Sequence, residues 1–113
     1  MQEEYNMVNP KLSFIFPNGA SADITEKVFS DGEIFAIVMT VPNFTNAVTI
    51  TAITIKDADG DTYYSNTTGW AENATHLITG LELPVALNAT VTLSISGDPG
   101  AGGGTVTFKP YIR

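Results

Sequence analysis

An all-β fold, an antiparallel sandwich of about seven or eight strands, is what this sequence predicts, on three observations. Apolar and polar residues alternate with a period of two over most of the chain, and no stretch carries a helical period. The polar half of that alternation is largely Thr, set beside Val and Ile, the residue types that suit a pleated surface. Turn signals built from Gly, Pro, Asn and Asp recur roughly every 8–12 residues, the spacing of a sandwich or barrel.

Residues 1–10 read as an extended arm ending at Pro10, and 11–113 as one domain. Leu12, Phe14 and Phe16 alternate in a first strand that Pro17, Asn18 and Gly19 stop. Ala22, Ile24 and Val28 mark a weaker second strand, followed by a turn at Ser30, Asp31 and Gly32. The segment 33–41 has no polar face: Ile34, Phe35, Ala36, Ile37, Val38, Met39 and Val41 predict a strand covered on both sides. Plain alternation would put Phe35, Ile37 and Met39 on one face and Ile34, Ala36 and Val38 on the other. The second cover would be a loop, the arm or another subunit, which makes Phe35, Ile37 and Met39 candidate partner contacts.

Residues 48–56 form a strand with a defect. Val48, Ile50 and Ala52 share one face and Ile53 and Ile55 the other, so a bulge is expected at Ala52-Ile53. Asp59-Gly60 turns the chain into a strand at Thr62, Tyr63, Tyr64 and Ser65. A polar loop over 66–73 carries Trp70, and 74–79 reads as strand. Leu81, Leu83, Val85 and Leu87 alternate through Pro84, which confines them to an edge strand or to a loop lying on the core. Ala89, Val91, Leu93 and Ile95, then Val106, Phe108, Pro110 and Ile112, define two closing strands, with 97–104 expected to be a long flexible hairpin loop between them. A sandwich of jelly-roll or immunoglobulin-like type accommodates this series.

The composition narrows the function. Twelve acidic against five basic residues give a net charge of −7, which repels nucleic acid phosphates. With no cysteine, there is no disulfide, thiolate metal site or cysteine nucleophile. The longest apolar run is too short to span a bilayer as a helix, so no membrane role is expected. The initial methionine and the acidic, polar residues after it read as the start of a whole gene product without a signal peptide. On that reading the Asn-x-Thr triplets at Asn43, Asn66, Asn73 and Asn88 come from Thr-rich strands meeting Asn-rich turns rather than from glycosylation.

Few residues could carry chemistry. Asp57, Asp59 and Asp61 offer carboxylates to Ca²⁺, but a calcium loop also needs a bidentate Glu further on, and here a strand begins at Thr62. A turn whose Asp side chains cap their own backbone is the simpler reading. The glycine-rich 97–104 segment lacks the Gly-Lys-Ser/Thr and following helix of a phosphate cradle. His76 is the lone histidine and cannot build a zinc site. No cofactor or catalytic group is expected, and the protein does not read as an enzyme. Tyr63, Tyr64 and Trp70 are the best binding candidates, since aromatics grouped on one hairpin and its loop can stack on sugars or anchor a partner.

Two stretches carry a resemblance. The hairpin Ile55-Lys56-Asp57-Ala58-Asp59-Gly60-Asp61-Thr62-Tyr63 and the Thr/Val-rich ending through residues 91–107, with its Gly-rich tip, are similar to those of small tailed-bacteriophage virion β-sandwich proteins. The resemblance spans roughly residues 33–113 and brings no catalytic residues with it. It implies a bacteriophage virion structural protein, above all a capsid decoration (cement) protein. Such a protein would bind the major capsid protein or another virion protein on the capsid exterior, homo-oligomerise, and assemble in the host cytoplasm. The alternative is a carbohydrate- or receptor-binding module of a tail or fibre.

Overall fold

The period-two alternation becomes two facing antiparallel sheets in the computed structural model, which describes residues 11–19, 21–28, 31–86 and 88–113. The expected arm at 1–10, part of the turn at Ser30 and the side chain of Leu87 lie outside the described residues. Among the described residues there are ten strands and no helix. The strands are β1 (Leu12–Phe16), β2 (Ile24–Val28), β3 (Gly32–Val41), β4 (Thr49–Lys56), β5 (Thr62–Asn66), β6 (Trp70–Ala71), β7 (Ala74–Ile78), β8 (Leu83–Val85), β9 (Ala89–Ile95) and β10 (Gly104–Ile112).

The first sheet runs β1-β10-β3-β7, with β8 beside the other half of the β3 edge that β7 occupies. The second runs β2-β9-β4-β5, with β6 continuing the β5 edge along β4. Successive strands therefore change sheet at most steps. That placement corrects one expectation. β9 and β10 belong to different sheets, so 97–104 is a crossover between layers and not a hairpin. It is also tied down, as described below.

Three bulges decide which residues enter the core. On β10, Tyr111 opposes Ala36 and the next residue, Ile112, opposes Ile34, which makes Phe35 the extra residue of β3. The bulge turns Phe35 outward and lets Ile34, Ile37, Met39 and Val41 all face in; each is at most 1% exposed. The expected grouping of Phe35 with Ile37 and Met39 is therefore corrected. In β4 the slip falls at Thr51, one residue before the expected place, and brings Ile50, Ile53 and Ile55 inward together. In β5, Tyr64 opposes Ile55 and Thr62 opposes Lys56, leaving Tyr63 as the extra residue.

The core between the sheets is apolar throughout, with no buried polar or charged residue among those described. Phe14 and Phe108 meet edge to face at 5.8 Å between ring centroids. Trp70, expected in a polar loop, pairs through β6 with Ile50 and is buried.

The β1–β2, β3–β4, β6–β7 and β9–β10 connections converge at one end. The Asp98 carboxylate accepts from the backbone N–H groups of Gly19 (2.8 Å) and Gly100 (2.9 Å). Asn46 donates its backbone N–H to the Pro99 carbonyl and its side-chain amide to the Asp98 carbonyl. Thr45 donates to the Ala101 carbonyl, and Asn73 N–H to that of Pro42. A glycine is required at 103, where φ is +58° and a Cβ would collide with the Phe16 carbonyl.

Candidate functional site

Asp57, Asp59 and Asp61 lie in the β4–β5 turn. Asp57 Oδ1 accepts from the backbone N–H groups of Asp59 (3.0 Å) and Asp61 (2.9 Å), so this carboxylate closes its own turn. Among the described residues no group of three His, Asp or Glu side chains is placed to hold a metal ion. His76 Nε2 lies 2.8 Å from the Ala71 carbonyl and joins β7 to the end of β6.

Tyr63, Tyr64 and Trp70 are not brought together as an exposed aromatic platform. Trp70 is 7% exposed and belongs to the core. Tyr64 packs against the core, and its hydroxyl accepts from the Asn66 side-chain amide at 3.0 Å. Tyr63 is half-buried and lines a cleft between β5 and β8.

That cleft has a volume of about 480 Å³ and is lined by Asp57, Tyr63, Glu82, Leu83, Pro84, Val85 and Ala86. Its floor is largely apolar and its two charged groups are both carboxylates. The Tyr63 hydroxyl is shielded from solvent and has no hydrogen-bond partner. Burial, and then the nearby Asp57 carboxylate, push its pKa above the usual tyrosine value, so the group is neutral and can both donate and accept. The sequence marked Tyr63 and Asp57 but not their neighbours. β5 and β8 sit in different sheets, and no local pattern says that they face one another.

A second surface lies on the outside of the first sheet. Val38 is flanked across the strands by Lys109 and Leu77, and Ala36 by Tyr111. Phe35 meets Tyr111 edge to face at 6.3 Å, and the Arg113 guanidinium lies 4.8 Å above the Phe35 ring. Leu77 is 66% exposed. The expectation that 33–41 is covered on both faces is met only in part: the outer side is half-covered, by side chains of this same chain. Ile37 and Met39, expected as partner contacts, are fully buried in the core, whereas Phe35 is on the outer face. Val38, Leu77 and Tyr111 join it there, and only the sheet register could have revealed them.

No family model, curated protein or solved structure matches the chain.

Proposed function

We propose that this is a bacteriophage virion structural protein, a capsid decoration protein that attaches to the major capsid protein on the outside of the shell and acts by binding alone. The carrying observation is the strip of Phe35, Val38, Leu77 and Tyr111 on the outer face of the first sheet. A protein of net charge −7 stays soluble while such a strip awaits a partner, and the strip, half-covered at Phe35, Val38 and Tyr111 and exposed at Leu77, offers apolar surface of the kind found at interaction sites.

The finer fold assignment belongs to the same proposal. Counting β5 with β6 and β7 with β8 leaves eight strands in two four-stranded sheets, the count of a double-sheet jelly roll. An immunoglobulin-like sandwich keeps its first two strands in one sheet, whereas β1 and β2 here lie in opposite sheets. Jelly rolls occur in both capsid and lectin domains, so the fold alone does not choose between shell and sugar. The burial of Trp70 weighs against a sugar-stacking platform on the hairpin.

Cosedimentation with shells assembled from the major capsid protein encoded beside this gene tests the reading. The parent protein is expected to pellet with shells at a fixed ratio, and Leu77→Asp to stay in the supernatant while still folding cooperatively, its melting temperature lowered by a few degrees at most. Absence of a neighbouring capsid gene, or equal pelleting of parent and variant, would count against decoration through this face.

A further inference from the structure

We infer that the turn at Asn18 and Gly19 is a site of self-modification, where Asn18 converts to aspartate and isoaspartate through a cyclic imide, and that the Asp98 carboxylate restrains this reaction. The modification needs no partner and is independent of attachment through the outer face of the first sheet.

Three observations single out Asn18 among the asparagines. It alone is followed by glycine, so no side chain shields the backbone nitrogen next to it. Both residues are exposed, and a Cβ built on Gly19 meets nothing within 4 Å, so the space around the turn is open. The Gly19 N–H, the group that the reaction needs, donates to Asp98 Oδ1 at 2.8 Å.

The chemistry balances within the chain and water. The Gly19 nitrogen gives up its proton and attacks Asn18 Cγ. The bond from Cγ to the Gly19 nitrogen forms, the Cγ–Nδ2 bond breaks, and Nδ2 takes up a proton and leaves as ammonia. Water then opens the five-membered imide at either carbonyl. Attack at Cγ restores the ordinary backbone with aspartate at 18. Attack at the Asn18 backbone carbonyl leaves Gly19 linked through Cγ, which is isoaspartate.

Asp98 acts on the first step. The proton that must leave is held in a charge-assisted hydrogen bond. A carboxylate beside the amide also disfavours its anion, as any neighbouring like charge does. Hydrogen bonds from Gly100 and then Gly19 hold the pKa of Asp98 below the ordinary carboxylate value, so it is charged under the neutral to alkaline conditions in which the imide forms. The reaction therefore proceeds when the β1–β2 turn swings clear of Asp98. Its products loosen the same contact. Isoaspartate lengthens the backbone before Gly19, at a place where the chain already packs closely: a Cβ at Gly103 would lie 3.2 Å from the Asn18 nitrogen.

Tryptic cleavage after Lys11 and Lys27 releases residues 12–27, in which Asn18 is the sole asparagine. The full chain can be incubated in mildly alkaline buffer, well below its melting temperature, and this peptide followed by chromatography and mass spectrometry. Asn18 is expected to convert before any other asparagine, yet about tenfold more slowly than in acetyl-Phe-Pro-Asn-Gly-Ala-amide, the factor expected for a hydrogen bond to a charged group. Asp98→Asn keeps an acceptor oxygen and removes the charge, and should convert Asn18 several-fold faster than the parent. Ile37→Val in the core lowers stability without touching the turn and should leave the rate unchanged. Conversion at the rate of the free peptide, an unchanged rate in Asp98→Asn, or earlier conversion of another asparagine overturns the inference. Equal acceleration by Ile37→Val would mean that the reaction runs through unfolding, and would overturn the role of Asp98.

Discussion

Asp98 does more for this molecule than its exposed position suggests. Its carboxylate gathers the amides of Gly100 and Gly19, and those hydrogen bonds, Gly100 first, lower its pKa below the ordinary carboxylate value. A lowered folded-state pKa stabilises the native state above the unfolded value, and that contribution is lost as the pH falls through the folded value. Asp98→Asn keeps an acceptor oxygen and removes only the charge. It should melt below the parent at neutral pH, with the gap closing under acid conditions; a gap constant across pH would refute the charge argument. Glycines of the same segment separate strain from collision. Gly102 and Gly103 both have positive φ, but a Cβ at 102 meets nothing within 4 Å, whereas one at 103 strikes the Phe16 carbonyl. Gly102→Ala should cost about 1 kcal/mol and Gly103→Ala about 3 kcal/mol or more, read from denaturant midpoints. Tyr63→Phe should leave stability unchanged or raise it by up to about 1 kcal/mol, because it removes an unpartnered buried hydroxyl.

At the scale of elements, the bulges matter more than the strand propensities. A single extra residue moves every following side chain to the other face. At Phe35 this converts a seemingly two-sided apolar strand into one with a core face and a half-covered outer face. The two faces should respond differently to a charge. Ile37→Asp places a carboxylate where no water or partner reaches it and should prevent folding. Leu77→Asp, opposite Val38 on the outer face, should cost about 1 kcal/mol or less. Chemical denaturation of the two variants checks the pair, and comparable losses would mean that the outer face is packed as tightly as the inner one. Phe35→Ser lies between these extremes, since it forfeits the Tyr111 edge contact and the Arg113 cation–π contact.

For the molecule as a whole, the dominant pairings join distant parts of the chain. β1 pairs with β10 and β2 with β9, so neither sheet is complete until the last strands have been placed. Loop-closure entropy is incurred before these contacts form, and refolding should take milliseconds to seconds rather than microseconds. Trp70 is the only tryptophan and lies in the core, which makes its fluorescence a reporter of the folded state. Stopped-flow refolding followed at Trp70 should show this slow phase. Calcium should have little effect on the melt, since Asp57 already closes its own turn and the described residues offer no three-ligand group. A melting temperature that falls in EDTA and recovers with calcium would contradict that assignment of the turn.

The alternation of Ala89, Val91, Leu93 and Ile95 with Thr and Ser, and that of Val106, Phe108 and Ile112, is local information. By itself it determined that these stretches are strands and which of their faces is buried. The same holds for the turn at Asp57–Asp61, whose side chain to backbone bonds span at most four residues. Partner choice was not local. That 97–104 crosses between sheets, that Trp70 enters the core, and that Phe35 turns out while Ile37 turns in all depend on strands distant in sequence. The cleft is the extreme case, because Asp57 and Tyr63 meet Glu82 and Pro84 only after the two sheets pack. A period of two tells a strand which side is apolar, but it is silent about which strand lies beside it. Register and bulge position are settled when every apolar side chain must fit one shared core, and that constraint exists only in the folded chain.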